Sequence, residues 1–525
     1  MRIILVLLLL SPFLRAQTTF HRIYTPIQGA GSYAMLFDIA NSPGGGYLTT
    51  GASSDTITAS FLTRMNNNGD VIWTRRLLTN TIIYSLERSS ANGYYFASYM
   101  SPPNRTVFFA TDSMLNVNWS IGYAVPNSAV FTRSFKQTND GSYIFGGIFA
   151  TPSKPYGFIG KISPNGVPAW SKTFTVPNKY AIEIKDFIDD GNGYYIGTGQ
   201  CTYNDDIFFI RSDTAGNIQW AGSYDLDSTY EWGSDIDITS DGGYVITGYY
   251  RKTQNSPAKI LLLKFGSDDS LQWAKAYSRQ LPGLYLGEAP QCTVIPNGQG
   301  FAITGVLQVS AGEFPYLMFV DTAGTFLTGN YYSLCRVGNI SNMNIRPRIT
   351  NDGGYILCSF ALANTSANFG QAGQIIKTDN LGATGCFETP FQLTDSAITL
   401  NLVPGVVDSL GINPLAIPLV FDTINVYYSS DCEINVGMDE RGEDKRIYLY
   451  PNPSSGTFII TSEEAIRSIE VFDMLGNKIF TGVSDSKEIT LELPNSSSGV
   501  YFVVVHTLSF SRAMKLIIHC SSVSR

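Results

Sequence analysis

The sequence predicts an all-β chain: a seven-bladed β-propeller, then a small β spacer, then a C-terminal β-sandwich. Three observations predict it. An aromatic hairpin signature recurs seven times at intervals near 50 residues, five of six tryptophans occupy one position of that repeat, and composition changes abruptly after a charged hinge about eighty residues from the end. The 15% charged content lies well below the roughly 25% usual for soluble proteins. With 30 Tyr, 31 Phe and 49 Gly among 525 residues, this favours strands and turns over surface helices. A net charge of −8 with no basic block argues against nucleic acid, because neutralising phosphates needs clustered Lys and Arg.

The first element is residues 1–16. Met1-Arg2, the apolar run Ile3 to Leu10 and the small Ala16 before Gln17 read as a secretory signal peptide. The run is too short for a bilayer, which takes about 20 residues. No other stretch reaches that length, so the mature chain is expected to have no transmembrane segment.

Residues 17–388 hold the repeats. The signature stands at Gly46-Tyr47, Gly93-Tyr94, Ser142-Tyr143, Gly193-Tyr194, Gly243-Tyr244, Gly300-Phe301 and Gly354-Tyr355, at spacings of 47, 49, 51, 50, 57 and 54. Most copies carry Asp or Asn with Gly just before it, as in Asp241-Gly242-Gly243-Tyr244. Such turns close tight hairpins, since Gly takes positive φ without a Cβ penalty. A second signature places Trp four residues after a turn Gly, at Gly69 to Trp73, Gly166 to Trp170 and Gly216 to Trp220, with Trp119 and Trp273 at equivalent places. A large indole once per repeat reads as the packing plate between successive units. In one unit, Ala181 to Asp186, Tyr194 to Gly199, Asp206 to Arg211 and Ile218 to Tyr224 are four strands joined by turns, which is one blade. The last repeat supplies three strands, while Phe20 to Tyr24 has the pattern of a fourth strand with none before it. Pairing of that stretch into the seventh blade would close the ring and hide two edges.

After the repeats, residues 389–436 alternate as a β-rich spacer and 437–446 are a charged linker, a natural domain boundary. Residues 447–525 carry four short motifs beside Pro, Asn or Gly turns. They are Tyr450-Pro451-Asn452-Pro453 with Gly456, Asp473-Met474-Leu475-Gly476-Asn477, Ser498-Gly499-Val500-Tyr501-Phe502, and a last apolar strand holding Lys515.

In this order the four motifs resemble the type A C-terminal sorting domain of the type IX secretion system of Bacteroidetes-type bacteria. The resemblance covers about 75 of the 525 residues. It implies an Ig-like β-sandwich recognised by the type IX machinery, with export to the medium or to the outer-membrane surface. His519 to Arg525 extends beyond the family's usual end, which affects cleavage and anchoring more than sorting. The repeats resemble the Asp-Gly-Gly-Tyr and Gly-x-x-x-Trp repeats of exported Bacteroidetes proteins. Their likeness to the tryptophan-docking units of quinoprotein propellers is confined to Gly-x-x-x-Trp, so no quinone cofactor follows.

Histidine is absent between His21 and His506, which excludes a Ser-His-Asp or Cys-His nucleophile pair and a His-based metal site from the repeats. Carboxylate chemistry is left, with Glu183, Asp186, Asp189, Glu231, Asp235, Asp237, Glu288 and Glu313 as candidates that no spacing sorts into a pair. Asp235, Asp237 and Asp241, or Asp189, Asp190 and Asn192, offer oxygen ligands without the spacing of an EF-hand. No metal, cofactor or catalytic residue is assigned. Cys386 and Cys432, which bracket the spacer, are the disulfide candidates, with separate thiols as the alternative. Long loops after two blade strands carry Tyr249, Tyr250, Arg251 and Tyr285, an aromatic and Arg mixture common in recognition surfaces. The expectation is a secreted or surface-displayed binding or adhesion protein whose ligand is a glycan or a protein. A carboxylate-dependent polysaccharide enzyme and a structural surface component are the alternatives.

Overall fold

A computed structural model describes residues 17–25, 33–432 and 447–518, apart from connecting stretches such as 334–344 and 362–371. Residues 1–16, expected as a signal peptide, and residues 437–446, expected as a linker, lie outside the described residues. The chain divides into two compact units, Met1–Cys432 and Glu433–Arg525.

The described residues of the first unit form seven small antiparallel sheets, numbered one to seven. Their first strands are Tyr33–Asn41, Thr81–Arg88, Ala129–Gln137, Ala181–Asp189, Tyr230–Ile238, Gln291–Ile295 and Arg348–Ile349. Each sheet is a meander in which the aromatic signature opens the second strand. A separate apolar cluster fills each contact between successive sheets. One joins sheets one and two around Leu48, Leu62 and Phe96, and another joins sheets three and four around Ile159, Phe187 and Phe208. The series returns to its start, because Ile356, Cys358 and Ile375 of sheet seven pack with Leu36, Phe61 and Met65 of sheet one. Both faces of each sheet are therefore covered, which accounts for unbroken apolar third strands such as Ile260 to Leu263, all fully buried. The architecture is all-β and propeller-like.

The repeated tryptophans are the contacts between sheets. Trp119 Nε1 donates to Pro164 O and Trp170 Nε1 donates to Thr214 O, both at 3.1 Å, in the turn of the following sheet. Gly216 ends one such turn at φ +79°, and a Cβ there would lie 2.8 Å from the Trp170 ring. Gly216→Val thus meets both a left-handed backbone and an indole, and should cost about 2–4 kcal/mol. Gly193→Val has the strain (φ +93°) with nothing within 4 Å, so its denaturation midpoint should fall less. Equal losses in the two variants would remove the docking argument.

The aspartates of the first signature are pinned from below. Lys161 Nζ reaches Asp140 at 2.7 Å, Lys264 reaches Asp241 at 3.0 Å, and Lys377 reaches Asp352 at 3.0 Å. These hairpin carboxylates are thus committed to ion pairs and to turn N–H groups. Among the described residues no group of three or more His, Cys, Asp or Glu is placed to hold a metal.

The N-terminal strand Phe20–Thr25 completes sheet seven, pairing antiparallel with Ala372–Thr378. It copies the usual contact to the next sheet: Tyr24 Oη donates to Gly69 O at 2.8 Å, as Tyr277 does to Gly324 O at 2.6 Å and Tyr332 to Gly382 O at 2.9 Å. Arg22 adds an ion pair to Asp70 at 2.8 Å.

His21 of this strand is fully buried, with Nε2 3.0 Å from Gln374 Oε1. Burial outweighs that hydrogen bond and lowers its pKa from 6.5 to about 4. Between these values the unfolded chain binds a proton that the folded chain refuses, so this part of the stability is complete above pH 6.5 and falls away towards pH 4. The loss amounts to roughly 3 kcal/mol. Urea midpoints of the parent chain and His21→Gln should converge as the pH is lowered through this window; parallel pH profiles would contradict it.

Residues expected as a separate spacer instead run round the outside of the same unit. The strands Glu388–Pro390, Thr394–Ala397, Asn401–Pro404, Asn413–Ala416, Phe421–Ile424 and Tyr427–Cys432 follow sheet seven in the chain. They pair antiparallel with the last strands of sheets six, five, four, two and one, and finally with Phe20–Thr25. The belt runs backwards through the sheets and covers their outer edges; among the described residues only sheet three has four strands and no belt strand. Of the disulfide candidates, Cys386 and the side chain of Cys432 lie outside the described residues. Cys201, Cys292 and Cys358 are buried.

In the second unit a three-stranded and a four-stranded antiparallel sheet share one core. Phe458, Ile460 and Leu491 of one sheet meet Ile469, Val471, Val503 and Leu516 of the other. The alternation of Thr457–Ser462, with Phe458, Ile460 and Ser462 buried, is what a strand with one covered face requires.

Candidate functional site

Polar side chains collect where the first strands of the seven sheets meet. A β-bulge interrupts five of these strands, just before Asp38, Ser85, Ser134, Asp186 and Asp235. A bulge re-aims the residue that follows it. Together with Gln291 and Arg346 of sheets six and seven, these residues line one narrow space of about 40 Å3.

Several of the aspartates tie one sheet to the next. Asp38 accepts from Leu86 N at 2.9 Å, Asp186 from Ile236 N at 3.4 Å, and Asp235 from Cys292 N at 2.8 Å. In each case the donor sits on the first strand of the following sheet, so these carboxylates both align the strands and charge the interior.

Arg346 is the hub of that charge. Its Nη2 lies 3.3 Å from Asp235 and 3.6 Å from Asp186, and its Nη1 lies 4.0 Å from Glu87. Arg348 lies beside it, 2.8 Å from Glu87 and 3.2 Å from Asp38, and Lys136 reaches Asp186 at 2.5 Å. The two neighbouring acids titrate apart. Burial pushes Asp186 up, but Lys136 and Arg346 outweigh it and hold that carboxyl well below the usual range. Burial raises Asp235 well above its ordinary value, and the negative Asp186 adds to the rise against the pull of Arg346. Under one guanidinium the two carboxyls are thus pushed in opposite directions, Asp186 towards the charged form and Asp235 towards the neutral one.

Towards the hairpin side the space widens into a recess of about 350 Å3. Its lining includes the polar Glu87, Lys136, Asp237, Thr293, Arg346 and Arg348 and the apolar Ile188, Ile238, Pro347 and Ile349. On the first strand of sheet four, Glu183 is held by Arg133 and by Lys185, the latter at 2.8 Å, and accepts from Gln200 Nε2 at 2.9 Å.

The residues expected to bind ligand do not line this recess. Tyr249 is 2% exposed, its ring T-shaped against Trp232 at 4.8 Å, so it is committed to packing. Tyr250 is half-buried with Lys259 Nζ 5.3 Å from its ring centre, and Arg251 stacks 5.8 Å from Tyr249. These three end the strand Tyr244–Arg251 of sheet five, whereas Tyr285 belongs to a short strand of sheet six and its side chain lies outside the described residues. Of the recess residues, Asp189 and Asp237 were among the carboxylates singled out in the sequence, whereas Glu87, Lys136, Arg346 and Arg348 were not, because the lining is drawn from several repeats. Their signal was the charged residue in a largely apolar first strand, as in Ile82-Ile83-Tyr84-Ser85-Leu86-Glu87.

The sorting motif falls in the second unit. Tyr450, 45% exposed, ends the strand Ile447–Tyr450, and Pro451 and Asn452 are exposed after it. Gly456 O accepts from Leu493 N at 2.9 Å. Asp473 follows the strand Ser468–Phe472. Gly499 opens the strand Gly499–His506, Tyr501 is buried in the core, and Lys515 pairs in register with Phe502. Pro453 and Gly476 lie outside the described residues.

Comparison with known proteins finds a secretion system C-terminal sorting domain over residues 448–519. The match indicates export by the type IX secretion system to the cell surface or the extracellular space. No helix among the described residues is long and apolar enough to cross a membrane. None of the curated proteins matches the chain. Among solved structures, a protein of unknown function from Bacteroides caccae is similar at 10% identity and TM-score 0.34, over 59% of this chain and 92% of that one. PorZ, a surface component of the type IX secretion system of Porphyromonas gingivalis, is similar at 11% identity and TM-score 0.27, over 94% and 82%. The extracellular domain of BT4673, a putative one-component system from B. thetaiotaomicron, is similar at 8% identity and TM-score 0.17, over 92% and 81%.

Proposed function

We infer that this chain is a secreted or surface-attached binding protein. In this reading residues 17–388 are a seven-bladed β-propeller, 389–436 a β-rich spacer whose strands up to Cys432 pair along the outer edges, 437–446 a linker, and 447–525 an Ig-like sandwich read by the type IX machinery. The observation that carries the binding role is the recess of about 350 Å3, at which charged side chains from several sheets converge. Its size falls within the roughly 300–1,000 Å3 of small-molecule sites. Binding is favoured over carboxylate-dependent hydrolysis by the state of the acid pair. Asp186 and Asp235 are occupied by Ser134, Lys136 and backbone N–H groups, and they face only about 40 Å3 of space.

The test is retention of the full chain on an array of glycans and on an array of bacterial and host surface proteins, beside the variant Ile238→Arg. Ile238 is 38% exposed in the recess lining, so the substitution fills the recess at little cost to folding. Retention that this variant loses supports the reading. Absence of retention on both arrays would move the chain to the structural class.

A further inference from the structure

The geometry points to an uncharged, polyhydroxylated ligand for this recess: the end of a neutral glycan chain. The inference rests on the binding reading above and names its ligand class. Two features of the lining carry it, the internal pairing of its cations and the presence of apolar side chains among its polar ones.

Three cations line the recess, and each already faces an internal carboxylate. Lys136 lies 2.5 Å from Asp186, Arg348 lies 2.8 Å from Glu87, and Arg346 lies 3.6 Å from Asp186 and 4.0 Å from Glu87. Two acids of the lining accept from backbone N–H groups. Asp189 accepts from Asn139 N at 2.8 Å and Gly191 N at 3.0 Å, and Asp237 accepts from Val294 N at 2.9 Å and Ile238 N at 3.0 Å. An anionic ligand would have to pull a guanidinium away from a buried carboxylate, leaving that charge uncompensated. A cationic ligand would stand beside Lys136, Arg346 and Arg348 in the same lining, whose like charges repel it.

A hydroxyl group meets neither obstacle, since it both donates and accepts without bringing charge. A guanidinium offers five N–H donors, and the contacts of Arg346 to its three acids are long, 3.3 to 4.0 Å. An ionised carboxylate has about four acceptor positions, of which Asp237 spends two on backbone N–H groups. Donor and acceptor capacity therefore occur together in the lining. The same lining includes the apolar Ile188, Ile238, Pro347 and Ile349, which suit the C–H groups of a sugar ring. A ligand that carries both hydroxyls and C–H groups fits this mixed lining.

The experiment is calorimetric titration of the full chain with neutral disaccharides (lactose, cellobiose, maltose, chitobiose), with digalacturonate, and with deacetylated chitobiose, at 0.05 and 0.5 M NaCl. The expected result is binding of at least one neutral disaccharide with less than twofold change across that salt range, weakened at least tenfold by Ile238→Arg. Preference for the uronate or the amine, with affinity falling steeply in salt and altered by Ile238→Arg, would overturn the ligand class and leave the recess standing. Binding that Ile238→Arg does not alter would overturn the recess itself. No heat from any of the probes, with the arrays also blank, would overturn both.

Discussion

Deletion of residues 17–25 should abolish the cooperative unfolding transition of the first unit. The strand Phe20–Thr25 is held from both sides, by Ala372–Thr378 and by Tyr427–Cys432. It therefore joins the start of the chain, the last repeat and the end of the belt in one sheet. Phe20 and Tyr24 are each 3% exposed and pack on Tyr47 and Met65 of sheet one. Losing two buried aromatics and two ladders of hydrogen bonds costs at least about 5 kcal/mol, comparable with the whole stability of many domains. The deletion also bares two strand edges, which invites association. Calorimetry should show a broad transition or none, and light scattering should rise with temperature. A sharp transition at the parent temperature would mean that the ring does not depend on this strand.

Arg346→Met should be the most damaging single substitution in the interior. It removes the cation between Asp186, Asp235 and Glu87 and replaces it with a chain of similar length. Breaking a buried ion pair by removing one partner costs about 3–5 kcal/mol. The sign of the pH dependence follows from Asp186, whose carboxyl Lys136 and Arg346 hold down against burial. A depressed carboxylate contributes stability above its unfolded pKa that is lost as the pH falls through the folded one. Without Arg346 this contribution shrinks, so the gap between variant and parent in urea midpoint should be widest near neutrality and narrow on acidification. Asp235→Asn is the companion: burial and the negative Asp186 push the Asp235 carboxyl up, towards its neutral form, so the neutral amide should cost less at pH 7 than the loss of Arg346. A loss for Asp235→Asn as large as that for Arg346→Met would reverse the assignment of charge within the pair.

Much of this molecule could be read without coordinates. Strand periodicity, hairpin turns and a once-per-repeat tryptophan are local patterns, set by steric rules acting over a few residues, and they determined the all-β class and the unit of repetition. The pairing of Phe20 to Tyr24 with the last repeat was legible for the same reason, because its Phe and Tyr copy the spacing of Trp273 and Tyr277. The sorting motif was legible because Tyr450, Pro451, Asn452 and Gly456 stand close together in the chain.

Only the tertiary structure decided the belt and the recess. Residues 389–432 alternate as any spacer would, and nothing in that alternation says that their partners are the outer strands of sheets hundreds of residues earlier. Backbone hydrogen bonds to an open edge carry no side-chain code. The recess has the same character. Glu87, Lys136, Asp237 and Arg346 are single charges on separate strands, brought together only when the sheets close on one another. Tyr249 misled for the converse reason. An aromatic residue at a strand end reads as a recognition residue until a neighbour such as Trp232 is found packed against it. Side-chain type is local information, whereas exposure and convergence are properties of the closed ring.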